Sequence, residues 1–227
     1  MLVLDKPAGW LMVPTSWEKT ARNLQLGIES SINARDFWAS SRNIKFLRFV
    51  HRLDAETSGA VLFVKSQGAI AAYSDLFESR KVQKTYLAVA RGIPKESEWR
   101  CTEPIKAGRA VPGEPPEPKD AETLFRVLKS KADTSLIAAE PLTGRTHQIR
   151  VHLASAGHPV LGDPMYGNDT RQPLALRSVG LAYRDPFTHK NVKIAAPFAE
   201  FVRKYQFDLT SDELFRAGKR PTKAGYE

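Results

Sequence analysis

Three stretches of this chain carry residue types that could do chemistry. The first is HRLDAETSG, residues 51–59. Asp54 lies two positions after Arg52 and just ahead of Thr57, Ser58 and Gly59. A carboxylate used as nucleophile or base must be ionised, fixed and close to its target. A cation beside it lowers its pKa and orients it. The same residues also suit a polar turn between two strands. The second stretch is KTYLAVARG, residues 84–92, in which Tyr86 has Lys84 and Arg91 around it. An aromatic ring flanked by cations can stack a base while phosphates are held beside it. A core tyrosine of a strand is the plainer alternative. The third is LTGRTHQIRVHLASAGHPVLGDPMYG, residues 142–167, with Arg145, His147, Arg150 and His152 crowded near a helix start. Arginines near a helix N-terminus suit an anion, and a solvated helix face would also explain them. The GHPVLGDPMYG loop carries no direct chemical message of its own.

Other chemistries are poorly served. There is no G-x-S-x-G elbow, no G-x-x-x-x-G-K-[ST] and no G-x-G-x-x-G. His147 and His152 are five apart, whereas a helical metal pair prefers four. Neither metal nor cofactor is expected. Asp5 follows a short apolar run, as in phosphoaspartate enzymes, but no second acid stands two residues on, so it reads as a turn residue.

The elements that must position these residues can be read from periodicity. MLVL and AVLFVKS (60–66) read as strands, and the 51–59 motif lies on the loop feeding the second. Ile70, Tyr73 and Phe77 share a helical face, which predicts a helix over 68–79. KTYLAVARG alternates as a strand. TLFRVLKS (123–130) and TSLIAAEPL (134–142) form a hairpin around KAD. The period changes at 145–157, where a helix is predicted with Thr143 as N-cap and Gly157 just past its end. GLAYRD and NVKIAAP make a further strand pair, and Phe198, Phe201, Val202 and Tyr205 mark a last amphipathic helix. VPGEPPEP (111–118) is a loop, because four prolines serve neither a central strand nor a helix interior. Residues 16–45 are mixed and polar and suggest no element. Strands, hairpins and helices in this mixture predict an α+β fold: a mixed, largely antiparallel sheet with flanking helices.

With 227 residues, the chain is long enough for one large domain or two small ones. Its formal charge of +9 suits a polyanionic partner, because each lysine or arginine placed on a phosphate releases a counterion. The single cysteine, Cys101, rules out an internal disulfide framework and suits a reducing cytoplasm. The start lacks the apolar core of a signal peptide, and no apolar run is long enough for a membrane span.

Taken together, H-R-L-D-x-x-T-S-G, K-x-Y-x-A and T-G-R-T-H-Q-I-R-V-H, in this order, resemble the RluA-type pseudouridine synthases. The resemblance runs from LDKPAGWLMVP to about Pro197. It implies a pseudouridine synthase catalytic fold with a central RNA-binding cleft, and isomerisation of specific uridines in rRNA or tRNA without a cofactor. In that reaction the N1–C1′ bond breaks, the uracil turns over, and C5 joins C1′. The family's invariant aspartate falls on Asp54, its base-stacking tyrosine on Tyr86, and the arginine that pairs with the aspartate on Arg150. Arg52 falls where the family fills the space left by the flipped nucleotide. His51, Lys84, Arg145 and His147 are expected to contact RNA with it.

The expected organisation is one catalytic domain over 1–210, a polar tail over 211–227, no S4-like domain ahead of it, and a monomer. Residues 16–45 and the proline loop are candidates for gripping RNA on position alone. The lack of an S4-like domain and the short VPT entry lean toward tRNA or a dual substrate. Arg177-Ser178 stands where the family often has His-Ala, which bears on the pocket wall near Leu176. Two rivals share parts of this pattern. A catalytically silent RNA-binding protein would need neither Asp54 nor Tyr86. A glycosidic hydrolase usually needs two opposed carboxylates, and the nearest second acid is Glu56.

Overall fold

The computed structural model describes residues 1–12, 21–106 and 117–216. Most of the proline loop (111–116), part of the 16–45 segment and the terminus beyond 216 lie outside these described residues. Within them the chain forms one nine-stranded sheet. The strands are β1 (Leu2–Lys6), β2 (Arg48–Phe49), β3 (Ser58–Val64), β4 (Gln83–Arg91), β5 (Glu98–Cys101), β6 (Thr123–Lys131), β7 (Thr134–Pro141), β8 (Leu176–Arg184) and β9 (Asn191–Ala195). Their order is β1-β3-β8-β4-β7-β6-β5, with β2 also on β3 and β9 also on β8. Only the β3–β8 pairing is parallel; the others are antiparallel. The mixed, largely antiparallel sheet expected from the hairpins is therefore the fold observed.

The helices are α1 (Leu24–Asn33), α2 (Phe37–Ser40), α3 (Ile70–Glu78), α4 (Gln148–Ser155), α5 (Ala199–Lys204) and α6 (Ser211–Phe215). Side chains of a strand alternate between faces, and β3 shows what this does. Val61 and Phe63 enter one apolar cluster, with Leu153 of α4, Ile28 of α1 and Val202 of α5. Ala60, Leu62 and Val64 enter a second cluster, with Tyr73 and Leu76 of α3. Both faces are covered, so β3 reads as an unbroken apolar run rather than an alternating one.

Three local expectations need correction. Asp5 is not a turn residue: it lies within β1 and accepts a 2.6 Å bond from Arg177 Nη2. Within the described part of the 16–45 segment, where the sequence suggests no element, α1 and α2 form. Asn23 caps α1 by accepting from the Leu26 N–H at 2.9 Å. Gly27 and the Ser30–Ser31 pair interrupt the apolar period, and only Gln25 and Ile28 of this helix are buried, which explains the missing signal. Finally, the polar stretch from Ser211 opens with α6, whose capping box joins Thr210 and Glu213. Leu214 of that helix packs into the main core.

The last residue of the 51–59 motif is set by a close approach. Gly59 has φ +114°, and a Cβ there would lie 2.7 Å from the Ser178 nitrogen and closer still to the Ser178 carbonyl. Both atoms are backbone of β8, where Gly59 and Ser178 are register partners. Gly59→Ala is expected to cost about 3 kcal/mol from forbidden backbone and overpacking. Thermal denaturation should show a drop of about 10 °C for a chain of this size; an unchanged melting temperature would contradict this account.

Candidate active site

The loop between β2 and β3 presents Asp54, with the Thr57 N–H donating to the Asp54 carbonyl at 3.2 Å to close the turn. A buried lysine holds this loop from beneath. Lys6, the last residue of β1, donates through Nζ to the carbonyls of Ala55 and Trp10 at 2.8 Å and of Pro7 at 3.0 Å. Burial lowers its pKa to about 8, against the opposing pull of Glu56 and Asp54. So the LDKPAG stretch that opens the chain ties down the backbone just after the candidate carboxylate, where the Ala55 carbonyl also accepts the Gly9 N–H at 2.8 Å.

Tyr86 comes from the central strand β4. The β4–β8 register shifts between Thr85 and Tyr86, so Thr85 faces Gly180 while Tyr86 faces Ser178. Such bulges re-aim side chains and are common beside active sites. Tyr86 is buried at the floor of the cleft. Burial first, and the Asp54 charge second, push its phenol well above the usual range. It stays a neutral ring.

The third motif folds differently from its expectation. The helix begins at Gln148 rather than 145, and His147, in the left-handed region at φ 56°, is its N-cap. Thr143 does not cap it. Instead Thr143 Oγ1 donates to Gln148 Oε1 at 2.6 Å, and Gln148 Oε1 also accepts from the Arg145 N–H at 3.0 Å. Gln148 therefore organises the turn ahead of its own helix, and Arg145 and His147 stand on a loop. Within α4, positions 150 and 152 point about 200° apart. Arg150 faces Asp54. His152 faces the other way, fully buried between Thr123 Oγ1 (2.9 Å) and the Glu103 carbonyl (3.0 Å). Gly157 follows the helix with φ +81°, as expected for its C-terminus.

These elements meet in a cleft of about 890 Å³. The eight side chains that the family resemblance assigns to catalysis or RNA contact all line it, whereas His152 and Arg91, noted beside them in the sequence, do not. Asp54 Oδ2 lies 3.9 Å from both Arg150 Nη1 and His147 Nε2. Asp54 is partly sheltered, with 28% of its side chain exposed. Burial raises its pKa, and the nearby Glu56 charge adds to this; His147, Arg150 and Lys6 pull the other way.

Not all eight offer a charge. His51 spends Nε2 accepting the Leu62 N–H at 2.9 Å and stacks on Phe77 at 4.3 Å between centroids. Burial and the Lys84 charge lower its pKa to about 3, so it is neutral. It shapes the wall and cannot attract phosphate by charge. Lys84 donates to the Thr143 carbonyl at 2.8 Å, and burial together with the charge of Arg80 brings its pKa to about 8. Arg52 is exposed at the mouth. Arg145 lies over the Asp120 carbonyl at 2.9 Å from its Nε. Arg80, also in the lining, was not singled out from the sequence.

The sequence reading missed two further residues. Asp163 grips Arg150 with both oxygens, to Nε at 2.7 Å and to Nη2 at 2.8 Å. Tyr166 places its hydroxyl 3.0 Å from His147 Nδ1 and its ring 5.2 Å from the Arg150 guanidinium carbon. Both come from GHPVLGDPMYG, which carries no motif of recognised chemistry. One general signal was available: a buried arginine needs a carboxylate. No spacing rule, however, selects the acid 13 residues on. Arg177, where the family often has histidine, lies behind the wall. It bonds Asp5, Ser58 Oγ at 3.3 Å and the Pro197 carbonyl at 2.9 Å, and so ties strand ends together.

No group of three or more His, Cys, Asp and Glu among the described residues is placed to hold a metal ion. No helix among them is long and apolar enough to cross a membrane.

Comparison with known proteins gives a consistent result. Residues 1–155 match the family model described as RNA pseudouridylate synthase. The chain is 36% identical over 207 residues to the uncharacterized RNA pseudouridine synthase YhcT of Bacillus subtilis (strain 168), covering 87% of this chain and 66% of that protein. It is 31% identical over 220 residues to ribosomal large subunit pseudouridine synthase C of Escherichia coli (strain K12), covering 90% of this chain and 66% of that one. The chain thus spans just under two thirds of these relatives' length. Among solved structures, human RNA pseudouridylate synthase domain containing 1 superposes with TM-score 0.65 at 27% identity, over 86% of this chain and 78% of that one. Human RNA pseudouridylate synthase domain containing 4 gives TM-score 0.72 over 91% and 90%, at 20% identity, a likeness of fold.

Proposed function

The chain belongs to the RNA pseudouridylate synthase family, and from that premise we propose that it isomerises specific uridines of structured RNA to pseudouridine. The observation that carries this reading is the meeting, in one cleft, of a sheltered carboxylate, a neutral aromatic ring and several cations. A uridine inside folded RNA must leave its stack before its C1′ can be reached. Arg52, exposed at the mouth, fills the gap that the base leaves. Tyr86 stacks on the extruded uracil. Asp54 acts at the sugar, as nucleophile on C1′ or as base on a sugar proton, and Arg150 and His147 flank the oxygen that would react. Lys84, Arg80, Arg145 and Arg52 offer positive charge along the walls for flanking phosphates.

Between the two RNA classes, the relatives' names favour the large-subunit ribosomal RNA over the tRNA leaning of the sequence reading. We therefore place a uridine of that RNA first among substrates. The isomerisation so described calls on no cofactor.

A product assay tests this. The purified chain, incubated with unmodified ribosomal RNA and separately with unmodified tRNA, should convert discrete uridines to pseudouridine in the ribosomal sample. Release of free uracil would make it a hydrolase. Binding of both RNAs with no change in either base composition would make it an RNA-binding protein on this fold.

A further inference from the structure

Arg150 sits beside the candidate carboxylate yet makes no hydrogen bond to it. It is 1% exposed. Two of its donors, Nε and Nη2, are spent on the two oxygens of Asp163. Its Nη1 is buried without any acceptor in hydrogen-bond range. The carboxylate it faces is Asp54, whose Oδ2 is 3.9 Å away. A buried donor left unmade is costly, and a guanidinium free to turn would satisfy it. This one cannot turn, because the planar fork fits the Asp163 carboxylate in a single orientation.

Asp163 is itself fixed. It is fully buried, and its Oδ1 also accepts the N–H groups of Met165 at 2.9 Å and Tyr166 at 3.1 Å. Burial opposes its ionisation, but the bonds and charge of Arg150 and these backbone donors outweigh it, and its pKa is lowered. Asp163 is therefore ionised and takes a share of the Arg150 charge. Three residues on, the same turn supplies Tyr166, whose hydroxyl meets His147 Nδ1 at 3.0 Å. The other nitrogen of His147 is 3.9 Å from the same Asp54 oxygen. One turn thus anchors both arms that flank Asp54.

We propose that the Asp163–Tyr166 turn is the positioning device of the site: Asp163 holds one arm of Arg150 in reserve for Asp54 and moderates its charge, while Tyr166 aims His147 at the same oxygen. The inference deepens the reading given above and rests on Asp54 being the reacting carboxylate. In the free protein Arg150 and His147 stand too far off for hydrogen bonds. The gaps close as the carboxylate itself shifts between the fixed arms and the sugar, and catalytic contacts that are long in the free enzyme commonly tighten in this way.

The charged and titratable groups facing Asp54 are Lys6 from β1, Glu56 on its own loop, Tyr86 from β4, His147 and Arg150 from the start of α4, and Tyr166. Removing the Asp163 charge leaves these in place and exposes Asp54 to the whole charge of Arg150. Asp163→Asn should therefore lower the pKa of Asp54 by about 1, within the range for a newly uncompensated cation. This is read by ¹³C NMR titration of the Asp54 carboxyl in RNA-free protein, which does not depend on what the protein catalyses. In the reaction, the acid limb of the rate profile should move down by the same amount. The maximal kcat should fall about tenfold, with KM within twofold of wild type.

Tyr166→Phe keeps the ring and all packing but frees His147. It should lower kcat about threefold, with KM unchanged. An Asp54 titration that does not move in Asp163→Asn overturns the proposal, whatever happens to the rate. If Asp163→Asn does not fold, Tyr166→Phe decides: wild-type kcat in that variant overturns the proposal. A wild-type chain that makes no pseudouridine would defeat the functional reading and leave the carboxyl titration to judge this one separately.

Discussion

Asp54→Asn is expected to abolish pseudouridine formation, by ~10³-fold or more in kcat/KM, while RNA affinity stays within a few-fold of wild type. Asparagine keeps the shape but cannot act as nucleophile or base. The cations that would contact RNA, Arg52, Lys84, Arg80 and Arg145, lie elsewhere on the cleft walls and are unaffected. The same variant carries a stability prediction of definite sign. Burial raises the pKa of Asp54 in the folded protein. Between its unfolded and folded pKa the folded state then binds more protons, so stability falls as pH rises through that window. Above that window the ionised Asp54 is a net burden on the fold. Asp54→Asn should accordingly melt higher than wild type at pH 7, and the gain should vanish below the ordinary carboxylate range.

In the wild type, activity should be lost as pH falls through the same raised pKa, on an acid limb shifted upward by the burial of Asp54. Three measurements check this together: single-turnover conversion, RNA binding by filter retention, and melting temperature at pH 7 and pH 4. Substantial activity in Asp54→Asn would move the chemistry to another residue. Lower stability at pH 7 would show that Arg150 and His147 outweigh burial at this carboxylate.

Arg150→Leu should damage stability and activity together, and a second substitution should separate the two. The fully buried Asp163 loses the partner that takes both its oxygens. Breaking a buried pair from one side leaves an uncompensated charge and costs about 3–5 kcal/mol, which for a chain of this length lowers the melting temperature by about 10 °C. Activity should fall by ~10²-fold or more, since Asp54 loses its nearest fixed cation. In Arg150→Leu/Asp163→Leu no buried charge is left over, and a well-packed apolar pair can replace a buried ion pair at little cost. The double variant should regain at least half of the lost melting temperature and none of the lost activity. Recovery of activity would mean that Arg150 serves only to pack and to neutralise Asp163. Equal melting temperatures for single and double variants would mean that the pair is not coupled.

What could be read from residue order alone was local. The turn chemistry of 54–59, the alternation of 84–92 and the change of period at 145–157 identified the elements that bear Asp54, Tyr86 and Arg150. Each signal is confined to one short stretch of chain, and each is set by backbone preference and side-chain period. The resemblance of the three motifs in order then joined stretches that periodicity could not join, and it foretold the fold as well as the family.

Tertiary structure decided the rest, because it depends on which surfaces are buried together. His51 and His152 look like site residues in the sequence, yet one is a neutral wall and the other a buried core histidine, since packing fixes their partners and removes their charge. Tyr86 is aimed by a bulge at Ser178, a displacement of register that leaves no mark on the alternation of its own strand. In the sequence Lys6 carries no signal, and Asp163 lies in a loop with no direct chemical message. They turn out to be the buried groups that hold the Asp54 loop and the Arg150 fork, because a charge inside a protein takes its meaning from the partner across the fold. No spacing along the chain specifies that partner.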